Sequence, residues 1–344
     1  MCSLTVRRLL PLFLCVLLIV SCRQNPLDID ISDIEGEPLE LLRLDQDLFS
    51  LTRKNLGPKT EELKKKYGSF YDHYLMGFLS RGGTGDTNYA SSVISFITDG
   101  DVSACHRHVQ KAYPDERVRE IAGRLSDCAK RFRHHFPSRA LPTRFITCLS
   151  GWNYSFAYID SALVVSLDMY LSDTSQFYRM LQYPAYQQKK MSADYILPDM
   201  ARGWLLTEFD NDPAENTLLQ HTVFYGKLYY AVNALLPETP DSLIIGYTGK
   251  QLEYCRQYEK NLWGYFAEKN RLYENNLNTI RELTMPLDGP FTSAISKECP
   301  PRIAMWVGWQ IVKSYMTNNE GVTLDSLMAE TDGQKILNKS RYRP

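Results

Sequence analysis

The densest group of side chains with metal-binding chemistry is one short run, Cys105-His106-Arg107-His108. Its cysteine and two histidines are three potential zinc ligands within four residues. On a helix, His106 and His108 would point to different sides, because neighbours on one helical face are three or four residues apart. A strand or loop could bring the two imidazoles together. Because helical spacing separates the two imidazoles, we predict no metal and no cofactor, and keep His106 and His108 as the weaker alternative for a zinc site.

Paired carboxylates would support a second kind of chemistry. Asp168, Asp194, Asp199 and Glu208 flank the region where predicted strands give way to helices. Two such groups can act as general acid and general base. Helix capping and surface positions explain the same residues, with Asp194 near a helix start and Glu208 near a helix end. No Gly-x-Ser-x-Gly nucleophile motif occurs. No catalytic residue is predicted.

The elements that must position these residues change type along the chain. From Asp115 to Phe136, apolar residues repeat at intervals of three and four, which predicts an amphipathic helix. Residues 144–149, 154–159 and 162–167 are rich in β-branched and aromatic side chains, which predicts three strands of one small antiparallel sheet. From Ser192 onward the pattern is helical. The sequence thus predicts a mainly helical α+β fold in a single domain.

This order of a helix, a short sheet and further helices resembles that of zincin-type zinc metallopeptidases. In those enzymes the helix after the sheet carries His-Glu-x-x-His, which places two imidazoles one turn apart around Zn²⁺. The corresponding helix here, Ser192 to Asp210, has no histidine, and none occurs from Phe136 to Gln220. The resemblance implies a zincin-like architecture without its metal site, in a protein that is not an enzyme.

The first 21 residues have the pattern of an export signal. Arg7 and Arg8 precede an uncharged apolar run, Leu9 to Val20, that is too short to span a bilayer comfortably. The run ends at Ser21-Cys22, which resembles a lipobox and predicts cleavage before Cys22 and lipidation of that cysteine. An ordinary secretory signal that happens to end near a cysteine is the alternative.

These features divide the chain into three parts. Residues 1–21 are predicted to be a lipoprotein signal peptide, residues 22–38 a lipidated N-terminus and tether, and residues 39–344 a globular domain. The N-terminal lipid makes a membrane the predicted partner. No acidic run follows Cys22, which favours a protein of the cell envelope that faces the periplasm.

Composition excludes some functions and leaves others open. A formal net charge of −1 argues against nucleic acid as a partner. Five cysteines follow Cys22, an odd number with scattered spacing, which predicts buried free thiols and not a disulfide framework.

The 22 tyrosines suit either a packed core or a groove. Gly226 and Gly308, inside predicted helices, mark either close helix packing or such a groove. The residues predicted to line a groove are Tyr195, Asp199, Trp204, Tyr225 and Lys227.

A set of segments spread over the mature chain carries a more specific resemblance. The segments are Arg43-Leu44-Asp45 with Leu48-Phe49, residues 156–159 and 167–171, residues 195–204, residues 218–219, 225–229 and 235–237, Trp263 with Phe266, residues 300–308 and residues 337–344. In order and spacing they resemble the gliding-motility lipoprotein GldB family, to which a lipobox also belongs. The resemblance implies an envelope lipoprotein tied to gliding or protein-export machinery, with other envelope proteins as partners.

Three functions follow from the sequence. The first is a non-enzymatic, lipid-anchored accessory or structural component of gliding motility or associated protein export. The second is a periplasmic hydrolase of metallopeptidase type, and the third is a lipoprotein that binds a ligand on its tyrosine-lined surface.

Overall fold

One four-stranded sheet forms the β part of the molecule. The computed structural model describes residues 27–209, 216–284 and 291–344, and the predicted lipidation site Cys22 lies outside the described residues. The strands are β1 (Glu40–Arg43), β2 (Arg144–Cys148), β3 (Phe156–Ile159) and β4 (Ala162–Ser166). Their order across the sheet is β1-β2-β4-β3, and every residue of β4 is buried.

The sheet is mixed and mostly parallel, so the prediction of an antiparallel sheet is wrong. β1 pairs with β2 and β2 with β4 in parallel, whereas β3 and β4 are antiparallel. The prediction failed because β3 lies at the outer edge, beyond β4, so that β2 and β3 are not neighbours. The β3–β4 turn itself forms as predicted. Asp160 and Ser161 have φ angles of 50° and 58°, which a two-residue hairpin turn requires.

Helices account for most of the other described residues. Those before β2 are α1 (Leu44–Phe49), α2 (Leu56–Tyr67), α3 (Phe70–His73), α4 (Tyr89–Thr98), α5 (Gly100–Ala112) and α6 (Asp115–His135). Those after β4 are α7 (Gln176–Met180), α8 (Ala185–Gln188), α9 (Ile196–Glu208), α10 (Leu218–Leu235), α11 (Asp241–Ile245), α12 (Gly249–Gln257), α13 (Glu259–Ala267), α14 (Leu277–Thr284), α15 (Ile303–Asn318), α16 (Leu324–Ala329) and α17 (Gly333–Ser340). A π-helical turn occupies Tyr74–Phe78, and 3₁₀ turns occupy Leu167–Met169, Ala193–Tyr195 and Glu268–Tyr273.

The predicted amphipathic helix is confirmed as α6, whose buried face carries Val118, Leu125 and Phe132. The mainly helical α+β class is confirmed as well. The five cysteines of the described chain are buried and unpaired, as predicted.

Helices α10 and α15 touch backbone to backbone. A Cβ atom on Gly226 would overlap the carbonyl group of Gly308, and a Cβ on Gly308 would overlap the carbonyl group of Thr222. Only glycine lets two helices approach this closely, so the two glycines mark close packing. The contact fixes the position of α15, and therefore of the residues at its N-terminus.

The described part of the predicted tether lies along α6. Leu27 packs against the core, and Arg131 of α6 donates from Nη1 to the carbonyl oxygen of Ile29 at 2.9 Å. The same guanidinium pairs with Asp28 at 3.1 Å. Residues 27–29 are thus held on the surface of the body. Within the described residues, no helix has both the length and the apolar character that crossing a membrane requires.

Candidate functional site

His106 and His108, the weaker alternative for a zinc site, both lie on α5. The His106 ring stacks on Phe49 with centroids 3.9 Å apart and planes 6° from parallel, and burial lowers its pKa. His108 is exposed, and its Nδ1 contacts the carbonyl oxygen of Ala104 at 3.0 Å. In the part of the chain that the structure describes, no three histidine, cysteine, aspartate or glutamate side chains form a group that could hold a metal ion.

A first buried charge cluster joins β1, α1, α5 and β2. Arg43 donates from Nε and Nη2 to the two carboxylate oxygens of Asp45, at 2.9 and 2.8 Å. Asp45 also accepts hydrogen bonds from Thr147 and from Gln110. A third guanidinium nitrogen of Arg43 donates to Asp115 at 2.7 Å. This Arg43–Asp45 network satisfies both partners within the protein and leaves no charge to offer a ligand.

Asp168, one of the candidate carboxylates, also has a structural position. Its carboxylate accepts the backbone N–H groups of Ser150 and Trp152, at 3.1 and 2.8 Å, and so fixes the loop that follows β2. Burial raises its pKa to about 6, against these hydrogen bonds. These hydrogen bonds join Asp168 to backbone N–H groups, not to another of the candidate carboxylates.

Two of the predicted groove residues contribute to packing. Trp204 is 1% exposed and stacks on Phe132 with centroids 4.1 Å apart. Lys227 is 6% exposed, and its ammonium donates to the carbonyl oxygens of Met328 and Glu330 at 3.2 and 2.7 Å, where α16 ends. Lys227 thus caps a helix, which suits a cation at a helix C-terminus.

The other three groove residues, Tyr195, Asp199 and Tyr225, share one electrostatic neighbourhood. Asp199, in the first turn of α9, pairs with Arg202 at 2.5 Å and accepts a hydrogen bond from the Tyr170 hydroxyl at 2.9 Å. Burial opposes the charge of Arg202, but Asp199 outweighs it and raises the pKa of the guanidinium. Burial raises the pKa of the half-buried Tyr195 and Tyr225, and in both cases the positive charge of a second guanidinium acts in the opposite direction.

That second guanidinium is Arg302, the residue before α15. It is 8% exposed and has φ 58°, a left-handed conformation that costs about 1–2 kcal/mol for a residue with a side chain. Its Nη2 donates to the carbonyl oxygen of Ile245 at 3.1 Å, and its buried Nε finds no hydrogen-bond partner in the described protein. Burial, backbone strain and an unused donor thus coincide at one cation.

Lys190 brings a third cation to the same place. Its Nζ and the Nη2 of Arg302 lie 3.6 and 3.5 Å from the point where a Cβ on Gly246 would stand. The two cations are therefore within about 7 Å of each other, where like charges repel strongly if buried. Burial, with Arg302 and Arg202 next in effect, lowers the pKa of Lys190 to about 7. We call Lys190, Arg202 and Arg302, with Asp199, the basic cluster.

The family model of the gliding motility protein GldB matches residues 24–344. The chain belongs to the GldB family. No curated protein and no solved structure matches it. Membership confirms the resemblance seen in the sequence and implies a role in gliding motility.

For this GldB-family chain, the finer zincin resemblance stays a prediction, since no solved structure supports it. The helix in question, α9, carries Asp199 and Arg202 one turn apart, and these two side chains bind each other. A carboxylate neutralised by a guanidinium is a poor metal ligand, because the positive charge stands where a cation would have to bind.

Sequence reasoning missed most of the basic cluster in this GldB-family chain. Lys190 precedes α9, Arg202 lies on α9 and Arg302 precedes α15, so no local spacing links them. Only the family resemblance pointed to their surroundings, through residues 195–204 and 300–308.

Proposed function

We propose that this protein is a non-catalytic, lipid-anchored component of the cell envelope, which serves gliding motility or associated protein export as an accessory or structural part. The observation that carries the proposal is the GldB family match, which spans residues 24–344 and begins just after Cys22. The family description names a motility protein and no enzymatic reaction.

The chemistry of the candidate sites supports a non-catalytic role. His106 stacks on an aromatic ring, Asp45 and Asp168 accept hydrogen bonds from internal donors on both oxygens, and Asp199 is paired with a cation. A general acid or base must reach a substrate with a free proton site. None of these three carboxylates presents a free oxygen in such a setting.

The anchor would hold one particular face of the body close to the membrane. Four residues lie between Cys22 and Leu27, so five residue-to-residue steps separate the anchor from Leu27, which lies on the body beside α6. A fully extended chain of that length reaches about 17 Å. A diacylated Cys22 would therefore keep the face around Leu27 and Arg131 near the lipid headgroups, and leave the opposite face free for partner proteins.

Replacing the lipidated cysteine tests this proposal. In a gliding host, we expect Cys22→Ala to move the protein from the membrane fraction to the soluble periplasmic fraction and to abolish colony spreading. Cys15→Ala removes a cysteine that lies inside the apolar run, before the predicted cleavage site, and should change neither readout. Membrane residence and spreading that survive Cys22→Ala would contradict the proposal.

The competing hydrolase hypothesis needs a separate measurement. We expect the purified protein to cleave neither peptides nor peptidoglycan, with or without added Zn²⁺. Stoichiometric zinc that is lost on His106→Ala, together with cleavage of either substrate, would favour the enzyme.

A ligand-binding role is the second candidate, and the uncompensated charge of the basic cluster is the observation that favours it.

A further inference from the structure

Among the residues that the structure describes, the basic cluster holds more positive charge than its carboxylate neutralises. Asp199 pairs with Arg202, and no ion pair within the described residues reaches Lys190 or Arg302. Buried charged side chains are almost always paired, because an unpaired ion loses its hydration without compensation. The charge of Asp199 is thus engaged by Arg202, while Lys190 and Arg302 lie close to each other beside Gly246.

The fold holds these cations together against their repulsion. Arg302 is fixed by a left-handed backbone and by α15, which the glycine contact locks against α10. Lys190 lies in the segment before α9, and its ammonium and the guanidinium of Arg302 are both close to Gly246. Strained residues with uncommon backbone angles persist where the surrounding structure determines them, often at ligand sites. A second charge of opposite sign would remove the electrostatic conflict.

The donors present define the chemistry of such a partner. A guanidinium offers planar, paired N–H groups that match the oxygens of a carboxylate or phosphate, and an ammonium adds a point charge. Tyr195 and Tyr225 are half-buried, and the charge of Arg302 acts on the pKa of both hydroxyls against the larger effect of burial. The unused Nε of Arg302 adds a donor without an acceptor.

We infer that Lys190 and Arg302, with Arg202 in their electrostatic neighbourhood, form a binding site for a small oxyanionic ligand, either a carboxylate or a phosphate. The site goes beyond the proposed motility role and does not depend on it. A protein that binds such a ligand could still be inert in gliding, and a gliding protein could lack the site.

Thermal unfolding of the purified full-length protein at pH 6.5 tests the inference. Sulfate, inorganic phosphate and citrate are each compared with sodium chloride at equal ionic strength. At an anion concentration 100 times the Kd, we expect the unfolding midpoint to rise by about 4 °C. Isothermal titration gives the affinity directly.

Matched variants locate the effect. Lys190→Gln and Arg302→Gln should each weaken binding at least about tenfold, since each removes one charge-assisted contact. Lys189→Gln, which removes the exposed neighbouring lysine, should keep the response. If Arg302→Gln fails to fold, Lys190→Gln still tests the inference. The Lys190 side chain makes no hydrogen bond within the described residues, so its replacement removes no hydrogen bond on which folding depends.

The outcomes separate the ligand classes. A response to phosphate and sulfate alone assigns the site to phosphorylated ligands, and a response to citrate alone assigns it to carboxylates. Either supports the inference. A response no larger than that to chloride, or one that persists in Lys190→Gln and Arg302→Gln, overturns it.

Discussion

The Arg43–Asp45 network and the basic cluster each bury an arginine, but they surround it differently. Arg43 is 9% exposed and Arg302 is 8% exposed. Arg43 donates to two carboxylates and a backbone carbonyl, so its charge is balanced inside the protein. Arg302 donates to one carbonyl, keeps an unused Nε and faces Lys190.

The difference separates structural from functional burial of charge. A balanced buried pair with all donors used contributes to one defined fold, and removing one partner is costly. A buried cation next to another cation destabilises the free protein, so that an anion that binds there regains that energy. Two arginines that are equally buried can therefore have opposite effects on stability, depending on which charged groups lie next to them.

The largest expected effect comes from breaking the balanced network. Asp45→Ala leaves the Arg43 guanidinium buried with only the exposed Asp115 as a counter-charge. We expect a loss of about 3–5 kcal/mol in the free energy of unfolding, measured by urea titration. Glu62→Ala is the control, since its pair with Lys59 is exposed and should matter by less than about 1 kcal/mol. A loss for Asp45→Ala as small as that of the control would remove the contrast between the clusters.

A smaller effect tests how Arg302 is held in place. Gly308→Ala would force α15 away from Thr222 and α10, and we expect it to destabilise the protein by about 3 kcal/mol. Because Arg302 precedes α15, the same change should weaken sulfate binding. Gly123→Ala, in the middle of α6 with open space around it, should instead add about 0.5–1 kcal/mol and leave binding unchanged. Equal stability of the two alanine variants would show that the helices can separate freely.

Local signals predicted the elements, and distant contacts decided how they assemble. The apolar repeat of residues 115–136 and the Asp160-Ser161 turn gave α6 and the β3–β4 hairpin correctly. Parallel pairing of β1 with β2 depends on contacts across all the helices between them, which no window of sequence contains. The antiparallel sheet was predicted from strands that are neighbours in sequence, whereas in the sheet β4 lies between β2 and β3 and pairs with β2 in parallel.

The candidate site shows the same division. Tyr195, Asp199 and Tyr225 were predicted to line a groove, which stays a prediction; Asp199 belongs to the basic cluster, and the charge of Arg302 acts on the pKa of both tyrosines. Lys190 and Arg302 were missed, because an isolated cation in sequence reads as a surface residue. Trp204 and Lys227 lie in the same aromatic-rich segments, but Trp204 stacks on Phe132 and Lys227 binds the carbonyl oxygen of Met328.

The smallest effect, and the most specific, is a pH dependence that comes from Lys190. Its pKa is lowered to about 7 by burial and by Arg302 and Arg202, with Asp199 acting in the opposite direction. Below pH 7 the folded protein therefore carries an unfavourable charge there. Between pH 7 and 10.5 the unfolded chain binds the proton that the folded chain has lost, so this residue makes stability rise with pH.

Lys190→Met should remove that slope. We expect the variant to be more stable than the wild type at pH 6.5 in chloride, and to lose about 2 kcal/mol of this advantage by pH 9, measured by urea unfolding at each pH. The buried cysteines and tyrosines also titrate differently on unfolding, but they are common to both proteins and cancel in the difference. Sulfate should reduce the advantage at pH 6.5, since a bound anion compensates the charge in the wild type alone. If the stability difference between variant and wild type stayed constant from pH 6.5 to 9, the pKa of Lys190 would not be lowered by folding. The positive charges of the basic cluster would then be balanced, as they are in the Arg43–Asp45 network.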